Sequence, residues 1–324
     1  MGRNPEPEIT WELHRRLQDW YRREGRHDLP WRKTRDPYRI YLSEIMLQQT
    51  QVGTVLERFY FPFLARFPTL TDVARASEES VLKAWEGLGY YTRARHLHQT
   101  ARRTGGTLPT TAAALAALPG IGRSTASAIA CFAHGEPVPI LDANVRRIVF
   151  RFFRRRHASI AQQWRMAERL LDGAHPYAYN QAMMDIGATV CTPQAPDCAV
   201  CPLQEGCRGC ARPERYPAPR KKKPIPVRHR TLLLYTDGRH YGVRKGTARL
   251  LGGLYGFPQT ETETAGVLLG RIVHRYTHFT LDAAVVLTDV RPDVPIALLA
   301  LDQIEALPLS GVDRKALYML RQSL

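Results

Sequence analysis

The sequence predicts two separately built halves: an all-helical domain over residues 1–207 and a smaller α+β domain over 231–324, joined by a linker at 208–230. Three observations carry this. Apolar residues recur at helical spacing through the first 207 residues, and short strand-like runs replace them after 230. Between the two, 208–230 holds five prolines, nine Lys or Arg and one Glu, the composition of an extended basic spacer. All five tryptophans precede residue 165, consistent with separate cores.

At 324 residues and 44% hydrophobic content, the chain can bury a core in each half. Lys and Arg exceed Asp and Glu by 46 to 30, a net charge of +16. That balance favours an acidic polymer as partner, nucleic acid being the commonest, over a basic enzyme acting on small molecules. No apolar run approaches the ~18 residues that a membrane span needs. "MGRNPEPEITWELHRR" lacks the apolar segment of a secretory signal, so a cytoplasmic, nucleoid-associated monomer is expected. Five of the six cysteines fall between Cys191 and Cys210, a pattern for metal rather than for a disulfide framework; Cys131, in "IACFA", reads as core.

In chain order, "ITWELHRRLQDWYRR" sets Ile9, Leu13, Leu17 and Trp20 along one helix face. "VLERFYFPFLARF" is apolar nearly all round and reads as a buried helix. "TTAAALAAL" begins a helix that stops at Pro119, turns through Gly120 and Gly122, and resumes at Arg123. Glycines permit positive φ and close backbone approach, and the first N–H groups of the resumed helix lack intrahelical partners. Together they make an anion site, to which Arg123 adds charge and Ser124 a hydroxyl. Leu-Pro-Gly-Ile-Gly between two helical patterns is the helix-hairpin-helix signature, which grips the phosphate backbone; the competing reading is a plain structural turn. "ERLLDGA" and "AYNQAMMDIGATV" continue the helices.

Cys191, Cys198, Cys201 and Cys207 then form C-x6-C-x2-C-x5-C. Four thiolates in one short loop suit either zinc or a [4Fe–4S] cluster, and the spacing alone leaves both open. Cys210 lies outside this set, as a free thiol. Beyond the linker, "TLLLYT", "HYGVRK", "RIVHRYTHFTL" and "AAVVLTDV" read as strands, "TDGR" as a hairpin turn, and "ALLALDQIEAL" and "VDRKALYMLRQSL" as helices.

Six ordered segments, "LPWR", "SEIMLQQTQV", "GLGYYTRARHLH", "LPGIGRSTASAI", "PILDANVRR" and "NQAMMDIGATVCT", followed by the cysteine loop, resemble the endonuclease III superfamily of base-excision DNA glycosylases, and within it the adenine-specific family. The likeness is dense over residues 9–210. It implies a helix-hairpin-helix glycosylase fold, a [4Fe–4S] cluster on the four cysteines, and double-stranded DNA carrying A·8-oxoguanine or A·G mispairs as partner.

Breaking an N-glycosidic bond passes through an oxocarbenium-like sugar, which calls for a protonated acid at the leaving base and a carboxylate near the developing charge. The base must first leave the stack. Glu44 stands in the apolar "YLSEIML", surroundings that raise a carboxyl pKa and keep its proton near neutrality. The resemblance makes it the acid for N7 of adenine; without it, a lone helical Glu reads as solvated surface. Asp142 closes the apolar "VPILD" where a helix should start, so it reads as an N-cap. By resemblance it is the carboxylate that stabilises the sugar cation, directly or as a covalent adduct, with Asn144 orienting it or a water. Gln49 resembles the residue inserted into the duplex, and Tyr90 the aromatic wedge beside the opposing base. The resemblance of "LPWR" implies that Trp31 and Arg32 line the adenine pocket or pack beside it. Ala143 stands where the family usually has Gly.

The C-terminal half resembles the family's Nudix-like domain. "LLGGLYGFPQ" matches its glycine-rich segment, and Tyr276, Thr277 and His278 fall where it has an 8-oxoguanine recognition loop. Thr277 keeps a hydroxyl there. No glutamate-rich Nudix box lies between 250 and 275, so this half is expected to read a lesion and not to hydrolyse a nucleotide. Two other readings stand beside adenine excision: an endonuclease III-like pyrimidine-lesion glycosylase/lyase, and a non-catalytic DNA-binding iron–sulfur protein. The lyases need a Schiff-base Lys where this chain has Ser124, and intact Glu44 and Asp142 speak against the third.

Overall fold

The computed structural model describes residues 9–219, 224–247, 251–262 and 264–324. Part of the basic linker, 220–223, and the first residue of "LLGGLYGFPQ", Leu250, lie outside the described residues. In chain order the helices are α1 (Trp11–Glu24), α2 (Pro37–Leu47), α3 (Val52–Arg58), α4 (Tyr60–Arg66), α5 (Leu70–Arg75), α6 (Glu78–Ala84), α7 (Thr92–Arg103), α8 (Ala112–Ala116), α9 (Arg123–His134), α10 (Ala143–Phe152), α11 (Ile160–Leu170), α12 (Pro176–Thr189), α13 (Leu301–Ala306) and α14 (Gly311–Ser323). The strands are β1 (Val227–Tyr235), β2 (Tyr241–Lys245), β3 (Tyr255–Gly256), β4 (Gln259–Thr260), β5 (Val267–Arg275), β6 (Thr280–Thr288) and β7 (Ala297–Leu299). None of the described helices is long and apolar enough to cross a membrane.

Packing groups these elements into two compact units, 9–48 with 108–219 and 49–107 with 224–324. In the first unit, α1 is capped by Thr10, whose hydroxyl accepts from the Leu13 N–H at 3.3 Å. The helix buries Leu13, Leu17 and Trp20 against Val149 and Phe152 of α10 and Met183 and Ile186 of α12. A smaller core joins α2 to α9 through Ile40, Ala128, Cys131 and Phe132, so Cys131 is a core residue. Asp36 caps α2 by accepting from the Tyr38 and Arg39 N–H groups, and Pro37 sits at the first helical position, where its missing N–H costs nothing.

The second unit sets α3 to α7 with the α+β half. Its four-stranded sheet runs β4-β1-β6-β5, with β1 parallel to β6 and the other pairs antiparallel; β3-β2-β7 form a second sheet. Leu232, Leu234, Ile272, Val285, Leu317 and Leu320 fill the core under α14. Arg314 grips Glu86 through two hydrogen bonds of 2.6 and 2.9 Å, and Glu79 accepts from Lys245 and the Tyr255 hydroxyl.

Two local readings meet a different outcome. "TDGR" does turn the chain, closing on a single Thr236–Tyr241 bridge, but β1 and β2 then enter different sheets. "VLERFYFPFLARF" is two helices broken at Phe59, and Phe61 is half exposed although Tyr60 and Phe63 are buried.

Candidate active site and metal loop

Glu44 lies in the last turns of α2, among the buried Ile40, Tyr41, Ile45 and Met46. Desolvation first and then the charge of Asp142 push its carboxyl up to about 7, against the opposing Arg32 guanidinium. That ordering shows that the two carboxylates feel one another. Asp142 stands at the N-cap of α10, and its Oδ1 accepts from the Val145 N–H at 2.7 Å. Burial raises its pKa as well, held back by the Val145 and Asn144 N–H groups and by Arg147 and Arg146. Burial therefore raises both carboxyls, and only Asp142 has backbone N–H donors working against that rise.

The hairpin packs beside them. Ile121 is buried between two glycines that face outward. Only Gly120 uses positive φ, at 71°. Gly122 is the extended N-cap of α9, with no side-chain cap, and a Cβ built there would meet nothing within 4 Å. Gly122 therefore leaves open space before the first N–H groups of α9 and does so without an unusual φ. Arg123 lies 3.9 Å over the Trp164 ring and pairs with Glu168 at 2.7 Å, on the exposed surface. The Ser124 hydroxyl accepts from the Leu141 N–H at 3.2 Å, fixing the backbone immediately before Asp142. Gln48 donates to Thr125 at 3.3 Å, which ties the end of the Glu44 helix to the same hairpin.

Arg32 is almost fully buried and forks onto Asp185 at 2.6 and 2.8 Å. Arg26 joins them at 2.6 Å, and Trp31 is buried alongside. Asp185 was not singled out from the sequence. Its one signal is an acidic residue inside the otherwise apolar "MMDIGATV".

The four predicted cysteines line one cavity, together with Arg151, Asp197 and Cys210. Burial holds Cys201 and Cys207 up at about 12, so as bare thiols they stay protonated; a metal would have to displace those protons. The donor set is soft, and Arg151 supplies a fitting countercharge. It is buried and donates to the Cys191 Sγ at 3.2 Å and to the Thr192 carbonyl at 2.7 Å. A buried guanidinium facing thiols suits an anionic metal–thiolate centre. Arg147 connects this loop to the acid site by donating to the Cys191 carbonyl at 2.7 Å and to Asn144 Oδ1 at 3.0 Å. Gly187 lies so close to Asn144 that an added Cβ would meet its Cβ at 2.5 Å.

In the second unit Tyr90 is exposed, with φ of 49°, and its hydroxyl lies 3.1 Å from the Thr277 hydroxyl. Arg93 sits 5.1 Å from the Tyr90 ring centre and donates to the Gly89 carbonyl and the Thr50 hydroxyl, bracing that turn. Tyr276 stacks on Phe279 at 4.6 Å, and the Tyr276 N–H donates to the Phe279 carbonyl, so Thr277 and His278 stand exposed at the tip of a tight turn. Gln49 is exposed at positive φ, 60°, directly after Gln48.

An all-helical unit built on a helix-hairpin-helix, with two coupled carboxylates beside it, defines a DNA glycosylase architecture. Residues 42–172 match the model of the HhH-GPD superfamily of base excision DNA repair proteins. The chain is 44% identical over 218 residues to the human adenine DNA glycosylase, covering 61% of this chain and 39% of that protein. It is 31% identical over 301 residues to the adenine DNA glycosylase of Buchnera aphidicola subsp. Schizaphis graminum, covering 85% and 86% of the two. Its fold resembles a thermostable thymine-DNA glycosylase, with a TM-score of 0.56 and 30% identity over 61% of this chain and 94% of that one. The chain belongs to the adenine DNA glycosylase family. It spans less than half the length of the human relative.

Proposed function

We propose that the chain is a monofunctional DNA glycosylase that removes adenine opposite 8-oxoguanine or guanine. The observation that carries this is a largely desolvated acid, Glu44, held up at about 7 beside the charge of Asp142. Once adenine leaves the stack, Glu44 gives its proton to N7. The C1′–N9 bond breaks, and its electron pair leaves with the base. Asp142 stabilises the sugar cation or bonds C1′ transiently, Asn144 holds the Asp142 turn, and Trp31 and Arg32 wall the base pocket. Water then adds at C1′ and returns a proton to Glu44. Single-turnover chromatography on an A·8-oxoguanine duplex tests the reading: free adenine is the expected product, and its absence with folded protein overturns it.

In this reading residues 1–207 carry the chemistry, 208–230 a basic linker and 231–324 a Nudix-like reader. Gly120, Gly122, Arg123 and Ser124 meet backbone phosphate, Gln49 and Tyr90 enter the duplex, and Tyr276, Thr277 and His278 face the 8-oxoguanine. Cys191, Cys198, Cys201 and Cys207 would hold a [4Fe–4S] cluster, which when bound supplies a rigid, charged anchor for the loop that Arg147 links to Asn144. Base release without strand cleavage follows from Ser124, since a hydroxyl forms no imine. Ser124→Lys is accordingly expected to give a borohydride-trapped protein–DNA adduct on a gel where the parent chain gives none.

The Tyr90–Thr277 hydroxyl pair supports the reader assignment. Thr277→Val is expected to lower the preference for A·8-oxoguanine over A·G by about tenfold, one hydrogen bond worth roughly 1.4 kcal/mol. Equal single-turnover rate ratios for the two chains would contradict a recognition role for Thr277.

A further inference from the structure

Cys210 does not stand apart from the cysteine loop. Its side chain lines the same cavity as Cys191, Cys198, Cys201 and Cys207. Counting it changes the spacing pattern. Cys198-Ala-Val-Cys201 and Cys207-Arg-Gly-Cys210 are two C-x2-C pairs, five residues apart. Two such close pairs are the arrangement by which short knuckles surround a single metal centre. The cavity therefore offers two overlapping sets of four thiols: 191, 198, 201, 207 and 198, 201, 207, 210.

The second pair is held in place by the backbone. The Arg208 N–H donates to the Phe152 carbonyl at 3.1 Å, and the Cys210 N–H to the Cys207 carbonyl at 3.4 Å. Gly209 is buried so tightly on α10 that a Cβ there would lie 2.4 Å from the Arg151 carbonyl oxygen. The turn that presents Cys207 to the cavity thus presents Cys210 as well. Cys191, by contrast, comes from the end of α12, and its Sγ already accepts from Arg151 at 3.2 Å.

We propose that Cys210 is a reserve ligand of the metal centre, able to complete the coordination of Cys198, Cys201 and Cys207 when Cys191 is lost. This rests on the reading of the loop as a metal centre. The exchange is one of protons, not electrons. The Cys210 S–H gives its proton to solvent as the metal–sulfur bond forms, and a departing Cys191 thiolate takes one up.

The test compares metal content in the full chain, Cys210→Ser, Cys191→Ser and the double variant, by iron, acid-labile sulfide and zinc analysis and by cluster absorbance. The parent and Cys210→Ser should each carry about four irons per chain. Cys191→Ser should keep most of that content, and the double variant should lose it several-fold. Equal depletion of Cys191→Ser and the double variant overturns the proposal. Should Cys191→Ser fail to fold, the parent and Cys210→Ser decide alone. With bathophenanthroline disulfonate as the iron trap, Cys210→Ser should release iron several times faster; equal release rates reject a reserve ligand. A parent chain purified without iron or sulfide fails the cluster reading instead, and the same comparison is then scored on zinc.

Discussion

Glu44→Gln is expected to abolish adenine release, by at least about a thousandfold, while affinity for the mispaired duplex stays within about threefold. A positioned general acid contributes on the order of 10²–10⁴. Gln fills the same space but has no proton to transfer, and the helix that presents it stays anchored by Ile40, Ile45 and Met46. Single-turnover kinetics and a binding titration on one duplex check both halves, and retained cleavage would remove Glu44 from the acid role. The pH dependence has a definite sign. The acid must be protonated, and burial holds its pKa at about 7, so the parent rate should fall about tenfold per unit above that pH. Stability moves the same way. A carboxyl raised from 4.5 to about 7 on folding stabilises the native state fully below the lower value. That contribution is lost as pH rises through the upper one, by up to on the order of 3 kcal/mol. Glu44→Gln should therefore be the more stable chain at pH 8 and indistinguishable at pH 4 in denaturant melts. A parent that is as stable as the variant at pH 8 would mean that Glu44 is solvated.

The helical half was legible because its signals are local. Period-3.6 stripes, the Asp142 cap and the Pro-Gly-Ile-Gly break each act within a few residues. Local signals alone mark Asp142 as a helix cap and leave Glu44 as solvated surface; their pairing as candidate site residues comes from the matched segments around them. What sequence could not reveal depends on partners far along the chain. The Arg32–Asp185 fork joins residues 153 apart in sequence, and neither side chain announces the other. The Ser124–Leu141 bond, which puts the hairpin to work holding the Asp142 turn, spans 17 residues and uses a backbone donor with no side-chain signature. The grouping of α3 to α7 with the α+β half depends on pairs such as Glu86–Arg314, and exposed-looking charges carry no sign of their partners. Gly122 shows the converse. Its identity was plain, but what it provides is open space and not a positive φ.

Asp142 poses the sharper experiment, because two roles sit on one carboxylate. It caps α10 through the Val145 N–H, and it charges the site that Glu44 feels. Asn caps a helix about as well as Asp does, whereas Ala costs about 1 kcal/mol at such a position. Asp142→Asn should therefore melt within about a degree or two of the parent yet lose base excision by at least about a thousandfold, since an amide cannot balance a sugar cation. Asp142→Ala should lose both activity and roughly 1 kcal/mol of stability. The Asn variant should also let Glu44 ionise more readily, because the charge that raises its pKa is gone, leaving burial as the dominant cause. Carboxyl titration followed by NMR on Asp142→Asn reads that downward shift directly. If Asp142→Asn keeps full activity, the cap is all that Asp142 does, and another anion must stabilise the sugar. If instead it loses stability in step with activity, the loss of chemistry reports only a loosened α10.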